Sequence, residues 1–302
     1  MGMRSPVQKI IVIGAGPAGL SAAIWLRRFD LQPIVLDSHD RPGGQLLSIG
    51  NLIPDFPGIP EVAGPDLAAR LAAHASALGV QIRQNIVVEG IDPESGVVRT
   101  TTGPYGYDRL IIASGSRQKA LGIPGEAEMI GRGEVYSASQ DAQRFAGRTV
   151  VIVGGGDRAV ENALLLAEAA VRVVLVHRSP VFRGQDRFLD RMAKTANIEV
   201  RAPARVLRIV GRDRVEGIEI EQGSETRILP CAAVLVRIGV TGNVAFLSDA
   251  GMVDEAGFLR VDECCRTRLP NVWAIGDAAL DPFFASISAG IGQAAIVAKQ
   301  LV

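Results

Sequence analysis

Residues Lys9–Asp37 read KIIVIGAGPAGLSAAIWLRRFDLQPIVLD, and this stretch decides the fold. The β-branched run Ile10–Ile13 predicts a buried strand, and Gly14, Gly16 and Gly19 follow it at once in G-x-G-x-x-G spacing. An apolar helical segment to Phe29 and a second short strand, Pro33–Asp37, complete a βαβ unit. Each glycine has a task. Gly14 lets the chain turn tightly off the strand, Gly16 lets a pyrophosphate approach the backbone, and Gly19 lets helix and strand pack closely. The helix N-terminus, with Pro17 and Ala18, then faces the phosphates. Asp37, at the end of the second strand, is placed to accept hydrogen bonds from a ribose diol. A lone G-x-G-x-x-G is weak evidence, because glycine is common in turns, and the competing account is a buried βαβ unit with no ligand. Here strand, glycines, helix and terminal acid occur in order, which is the context the motif requires.

The pattern recurs. Residues 149–178, TVVIVGGGDRAVENALLLAEAAVRVVLVHR, repeat strand, Gly154-x-Gly156-x-x-Ala159, helix and strand. Gly14 to Asp37 and Gly154 to His177 both span 23 positions. What differs is the tip. The first unit ends in a carboxylate, which suits a free ribose and repels a phosphate. The second ends in His177-Arg178, with Arg183 close behind, which suits a 2′-phosphate. Opposite tips behind like turns point to FAD in the first unit and NADPH in the second. The alternative for His177, Arg178 and Arg183 is an ordinary solvated strand end.

At 302 residues, 48% apolar and 21% charged, the chain is expected to be a soluble globular protein of two domains. Its 32 basic and 32 acidic side chains cancel, so nothing argues for a nucleic-acid or anionic-membrane partner. Three cysteines, two of them adjacent, make no disulfide framework and fit a reducing compartment, and no metal site is read. Only a short polar lead precedes Ile10, so no signal peptide is expected, and Gly14–Pro17 breaks the apolar stretch Ile10–Leu26 too early for a membrane span.

Between these landmarks, Gly43-Gly44 permits close backbone approach to a flat ligand and Gln45 offers an amide at its edge, although Pro-Gly-Gly is also ordinary turn chemistry. Gly64-Pro65-Asp66 starts a helix to Leu78. Strands Ile86–Ile91 and Val97–Thr101 flank a turn at Asp92–Gly96, and Tyr107–Gly115 holds another buried strand. Arg201, Arg205, Arg208, Arg212 and Arg214 gather around strands Val206–Val210 and Val215–Glu221. The cluster could meet an acidic carrier such as ferredoxin or flavodoxin, but acids are interspersed and a solvated surface is the simpler account. Cys231 reads as a core residue, and Cys264-Cys265 as neighbours on a strand.

The ordered segments GAGPAG, PGGQL, DFPG, LIIASG, LGIPGE, VVIVGGGDRAVENAL, HRSPVFR, VRIGVTGN and VWAIGDA resemble the low-molecular-weight thioredoxin reductase family over nearly the whole chain. The resemblance implies an α/β fold of two Rossmann-like domains: an FAD domain from residues 1–119 and 238–302, and an NAD(P)H domain, 120–237, inserted in it. It implies FAD contacts at Gly14, Gly16, Pro17, Ala18, Gly19, Asp37, Gly44, Gln45, Leu46, Asp55, Ser114, Gly115, Gly276, Asp277, Ser286 and Ile287. Asp277 would hold a ribityl hydroxyl, and the final helix, Ser286–Leu301, would point its N-terminus at the flavin. NADPH contacts are implied at Gly154, Gly156, Asp157, Arg158, Ala159, His177, Arg178, Arg183, Ile238 and Gly239. Ser179 replaces the second arginine of the family's HRRxxxR motif.

Two departures bear on activity. Where the family carries a Cys-x-x-Cys, this chain has Ser137 and Gln140, which can form neither a disulfide nor a thiolate. Ahead of the last helix, Phe284-Ala285 replaces the family's Arg-Gln. The expectation is a homodimeric, cytoplasmic, FAD-dependent NADPH oxidoreductase whose flavin discharges directly to a carrier protein or a small molecule such as a quinone. Asp55 resembles an acid of the family's ferredoxin–NADP reductase branch, which also lacks the dithiol. The alternatives are a non-catalytic FAD-binding sensing module and a disulfide reductase using Cys264 and Cys265.

Overall fold

The computed structural model describes residues 8–50, 52–169, 171–247 and 250–302. The polar lead on which the absence of a signal peptide rests, residues 1–7, lies outside them. The chain divides into two units, 1–117 with 241–302 and 118–240, where the sequence places the crossings near Lys119 and Arg237. Among the described residues no helix is long and apolar enough to cross a membrane.

Unit 1 is built on a parallel sheet of five strands, in spatial order Val272–Ala274, Arg109–Ile112, Ile10–Ile13, Pro33–Leu36 and Gln81–Arg83. Its central strands are β-branched runs buried on both faces, as a parallel sheet covered on both sides requires. One face packs on helices Pro17–Arg28, Gly64–Ala77 and Ile287–Gln300. The other packs on residues around the small antiparallel sheet Val88–Asp92, Val97–Thr100 and Tyr105–Gly106. The turn at 92–96 forms because the Asp92 carboxylate accepts the N–H of Glu94 and of Ser95, while Gly96 takes φ +63°. A hydrogen bond from the Ser95 side chain holds the Asp92 carboxyl below its usual range.

The last helix is rich in small residues, and this sets how near it comes to the first. Its buried positions include Gly290, Ala294 and Ala298. A Cβ at Gly290 would already lie 3.3 Å from the Ala18 Cβ and 3.4 Å from the Gly276 Cα. The C-terminal segment therefore completes the layer begun by the N-terminal one.

Unit 2 repeats the architecture with a parallel sheet in the order Ile198–Arg201, Arg172–Val176, Thr149–Val153 and Ala233–Val236. Helix Asp157–Glu168 covers one face, and an antiparallel sheet, Arg205–Val210, Gly217–Gln222 and Glu225–Pro230, covers the other. The middle strand starts at Gly217 rather than Val215; ahead of it the Val215 N–H faces the Glu134 carboxylate, the Glu216 N–H donates to the Val210 carbonyl, and the Glu216 carbonyl accepts the Cys231 N–H. The arginine cluster is partly neutralised: Arg201 and Arg172 pair with Glu199, and Arg208 pairs with Glu219 at 2.7 Å.

Cys264 and Cys265 do not lie on a strand. The Asp262 carboxylate accepts the N–H groups of Cys264 and Arg266, its carbonyl accepts that of Cys265, and Cys265 adopts φ +63°. The pair forms a tight turn whose second member is buried in the core of unit 1.

Gly19 has no room for a side chain, since a Cβ there would overlap the Gly14 carbonyl oxygen, whereas exposed helical Gly292 has nothing within 4 Å. Gly19→Ala is expected to destabilise by about 3 kcal/mol, the upper end of overpacking costs. Gly292→Ala is expected to stabilise by about 0.5–1 kcal/mol through helix propensity. Urea unfolding midpoints of both variants check these opposite signs.

Candidate functional site

In unit 1 two glycine turns meet back to back. Gly14 leaves the first strand at φ +101°, where a Cβ would overlap the Ala113 carbonyl. Gly16 then opens helix Pro17–Arg28 and supplies no capping side chain, so the first N–H groups of that helix are left for an anion. Opposite it, Gly44 at φ +55° faces Gly16: a Cβ at 44 would sit 3.0 Å from the Gly16 Cα. The Gly43 N–H bonds the Ala15 carbonyl at 2.8 Å, which locks the two turns together.

The acid tip plays a part its spacing does not announce. Asp37 is only 6% exposed, and one carboxylate oxygen accepts the Ala15 N–H at 2.5 Å. The other takes the His39 N–H at 2.8 Å and stands 3.0 Å from the ring Nδ1. Asp37 thus braces the glycine turn and still has acceptor capacity for a ligand hydroxyl.

A second group assembles from distant parts of the sequence. The Gln45 amide donates to the Asp277 carboxylate at 3.1 Å and to Ser116 Oγ at 3.3 Å, and Ser116 Oγ itself donates to Asp277 at 3.3 Å. Gly115 lies against Gln45, and the buried Ser114 hydroxyl has no partner among the described residues. Gly276, at φ +65°, packs on Ala18, and its N–H donates to Gln293 Oε1 at 2.7 Å. Ser286 caps the last helix by accepting the Ala289 N–H, and Ile287 shares an apolar cluster with Leu46, Phe56 and Ile59. Asp55 is exposed, between Ile53 and Phe56 of that cluster. The replacement segment carries two exposed aromatics, Phe283 and Phe284, packed edge to face at 5.0 Å.

Ser116, Gly290 and Gln293 escaped the sequence reading. Gly290 and Gln293 lie in GIGQ, where glycines inside a strong helix could have signalled a close approach.

In unit 2 the corresponding turn is Gly154 at φ +150°, then Gly155 and Gly156 before helix Asp157–Glu168. Ala159 stands fully buried at the third glycine place. His177 folds back onto the glycine turn. Its ring lies against Gly155, which has no space for a Cβ, and Nε2 donates to the Val181 carbonyl at 3.2 Å. Burial lowers its pKa below the ordinary histidine value, with the charges of Arg178 and Arg183 acting the same way, which disfavours a charged ring at the tip. The loop is folded back by the Arg183 N–H to the Gly155 carbonyl at 2.7 Å and by the Gln185 N–H to Asp157 at 2.7 Å. Arg178 and Arg183 are left exposed, and among the described residues no acid pairs with either. Ile238 and Gly239 follow the strand on the other side of the turn, and the Gly239 carbonyl accepts the Lys119 N–H.

Ser137 and Gln140 flank and occupy the short helix Ala138–Asp141. The Ser137 N–H bonds the Asp141 carboxylate at 2.8 Å, and its hydroxyl meets that of Ser139 at 3.0 Å. Cys231 and Cys265 are both buried. Burial pushes Cys231 up to about 12 and Cys265 up to about 11.

Comparison with known proteins agrees with this geometry. Residues 8–300 match the family model described as pyridine nucleotide-disulphide oxidoreductase. The chain is 34% identical over 283 residues to a thioredoxin reductase of Listeria innocua, covering 92% of this chain and 88% of that one. It is 32% identical over 304 residues to a ferredoxin–NADP reductase of Thermus thermophilus, covering 96% and 90%. Among solved structures, the Lactococcus lactis thioredoxin reductase in its FR conformation superimposes with a TM-score of 0.84 at 29% identity, covering 97% of each chain. Two glycine turns on two parallel sheets, matched along almost the full length, make the chain a member of the pyridine nucleotide-disulphide oxidoreductase family and a flavoprotein reductase of thioredoxin-reductase-like fold.

Proposed function

We propose that the protein is an FAD-dependent NADPH oxidoreductase, a cytoplasmic homodimer that passes electrons from reduced flavin directly to an acceptor. The observation that carries this is the opposite charge at the tips of two like-built turns: Asp37 in unit 1, and exposed Arg178 and Arg183, with no acid paired to either among the described residues, in unit 2. An acid at the first tip accepts ribose hydroxyls and repels a 2′-phosphate, and the arginine pair at the second attracts one.

The residues of unit 1 fit FAD. The Gly16–Gly44 cradle is free of Cβ atoms, so a diphosphate can lie against backbone, and the buried Ser114 hydroxyl has no partner among the described residues. Asp277, oriented by Gln45 and Ser116, offers an acceptor for a ribityl hydroxyl. Bound there, flavin supplies hydride acceptance and electron release, chemistry that no side chain of this protein has. The N-terminal end of helix Ile287–Gln300 contributes positive potential to stabilise added negative charge.

Ser137 and Gln140 take the place of the family's dithiol and provide no thiolate relay, so the acceptor is reached directly. An electron-carrier protein of the ferredoxin or flavodoxin type, or a quinone, meets that need, and the named activity of the Thermus relative favours the carrier. A disulfide reductase built on Cys264 and Cys265 is disfavoured, because the second thiol is buried and protonated. A non-catalytic sensing module would have no use for the basic tip of unit 2.

Three measurements test this. Anaerobic NADPH is expected to bleach the flavin at least about tenfold faster than equal NADH, one charge-assisted contact's worth of discrimination. An Arg178→Gln, Arg183→Gln double variant should bring that ratio toward one through a raised KM for NADPH; a yellow protein bleached by neither nucleotide ends the proposal. Gly16→Ala should fold, at a helix-capping cost of about 1 kcal/mol, yet purify without flavin, whereas full flavin content would move the site elsewhere. A Cys264→Ser, Cys265→Ala variant should keep its full NADPH-dependent turnover in a steady-state assay.

A further inference from the structure

Arg237 closes the strand Ala233–Val236 and stands beside the second glycine turn, where a Cβ on Gly154 would overlap its carbonyl oxygen. Its guanidinium is fixed from three directions. Nε donates to Asn162 Oδ1 at 2.8 Å, Nη1 to the Val236 carbonyl at 2.8 Å, and Nη2 to the Tyr136 carbonyl at 3.1 Å. All three acceptors are neutral. Of the five N–H groups of an arginine, one on each terminal nitrogen remains unspent.

A second cation lies near it. Arg158 occupies the first turn of helix Asp157–Glu168, four residues before Asn162 and therefore on the same helix face. Among the described residues neither arginine has a carboxylate partner. Asp157 is engaged by Gln185, and burial and the charge of Asp157 raise the pKa of Glu161, the acid one turn along from Arg158, against the opposing charges of Arg158 and Arg187. Burial and the charge of Arg158 both lower the pKa of Arg237. Two guanidiniums held in range of one another, one of them half-buried on neutral acceptors, are a destabilising arrangement unless an anion joins them.

We infer that Arg158 and Arg237 form an anion subsite for the nicotinamide-side phosphate of the dinucleotide bound by unit 2, an inference that rests on the NADPH assignment above. Position in the sheet selects this phosphate over the others. Strand Thr149–Val153 lies between Arg172–Val176 and Ala233–Val236, and a dinucleotide spans the ends of the strands at such a switch point. Arg178 and Arg183 follow the strand on the adenosine side. Arg237 follows the strand on the opposite side, and Arg158 is at the helix end between them. The two arginine pairs thus address different phosphates. The outer pair reads the 2′-phosphate and chooses between NADPH and NADH; the inner pair grips a group that both share.

Calorimetric titration of the flavin-loaded protein with NADP⁺, NAD⁺ and 2′,5′-ADP tests the assignment without turnover. Arg237→Gln should weaken NADP⁺ and NAD⁺ by the same factor, about tenfold for one lost charged contact, and leave 2′,5′-ADP, which lacks the nicotinamide-side phosphate, within about twofold. Arg237→Lys should recover part of the loss. Arg158→Gln, which removes no hydrogen bond found among the described residues, should reproduce the pattern, with an unchanged urea unfolding midpoint setting misfolding aside as its cause. Unchanged NADP⁺ affinity in both glutamine variants, with wild-type binding intact, overturns this subsite alone. Equal weakening of all three ligands overturns it too, by placing the arginines on the adenosine side. A wild-type protein that binds none of the three removes the NADPH assignment and the subsite with it.

Discussion

The first unit depends on backbone touching backbone. Helix Pro17–Arg28 lies so close to strand Ile10–Ile13 that residue 19 must be glycine, and residue 14 must turn in a conformation that favours glycine against the Ala113 carbonyl. From that closeness the rest follows. The Ala15 N–H is held where the Asp37 carboxylate can accept it, and a buried acid is tolerable because Ala15 and His39 both serve it. Ala18 is brought against Gly276 and Gly290, so the last helix can pack on the first only because both partners are nearly bare. One steric restriction at the start of the chain thereby fixes the position of segments more than two hundred residues away.

Unit 2 meets the same restriction with other atoms. Gly154 abuts Arg237 rather than an alanine, and Gly155 carries the His177 ring where, in unit 1, Ala15 donates its N–H to Asp37. The repeated spacing preserves the turn, and the surroundings of each turn are free to differ in charge. That freedom lets one architecture present an acid in one unit and arginines in the other.

How much of this was legible depended on whether a residue's task is local. Glycine spacing, the β-branched strands and the helix begun by Gly64-Pro65 are local, and the helix runs Gly64–Ala77. His177 illustrates the limit: its place in the pattern marked it as a tip residue, but nothing in the pattern announces a ring that rests on Gly155 and bonds the Val181 carbonyl. Cys264-Cys265 read as strand because β-propensity carries no information about Asp262, whose carboxylate gathers the N–H groups that bend the chain. Arg237 was invisible for a third reason. Its importance lies in having neutral partners from Tyr136 and Asn162, and no stretch of sequence around it says so.

The interrupted course of unit 1 has a consequence for how the protein is made. Unit 2 is continuous from 118 to 240, and its strands, helices and turn are all present before residue 241 is synthesised. Unit 1 at that stage lacks the edge strand Val272–Ala274, the Gly276-Asp277 turn and the helix that covers Ala18. Since domains fold as units during synthesis, the inserted unit matures first on the ribosome while the outer one waits, half-assembled, with its apolar sheet face partly uncovered. The cradle around Gly16 acquires the Gly276-Asp277 turn and the last helix only when the outer unit's second segment arrives.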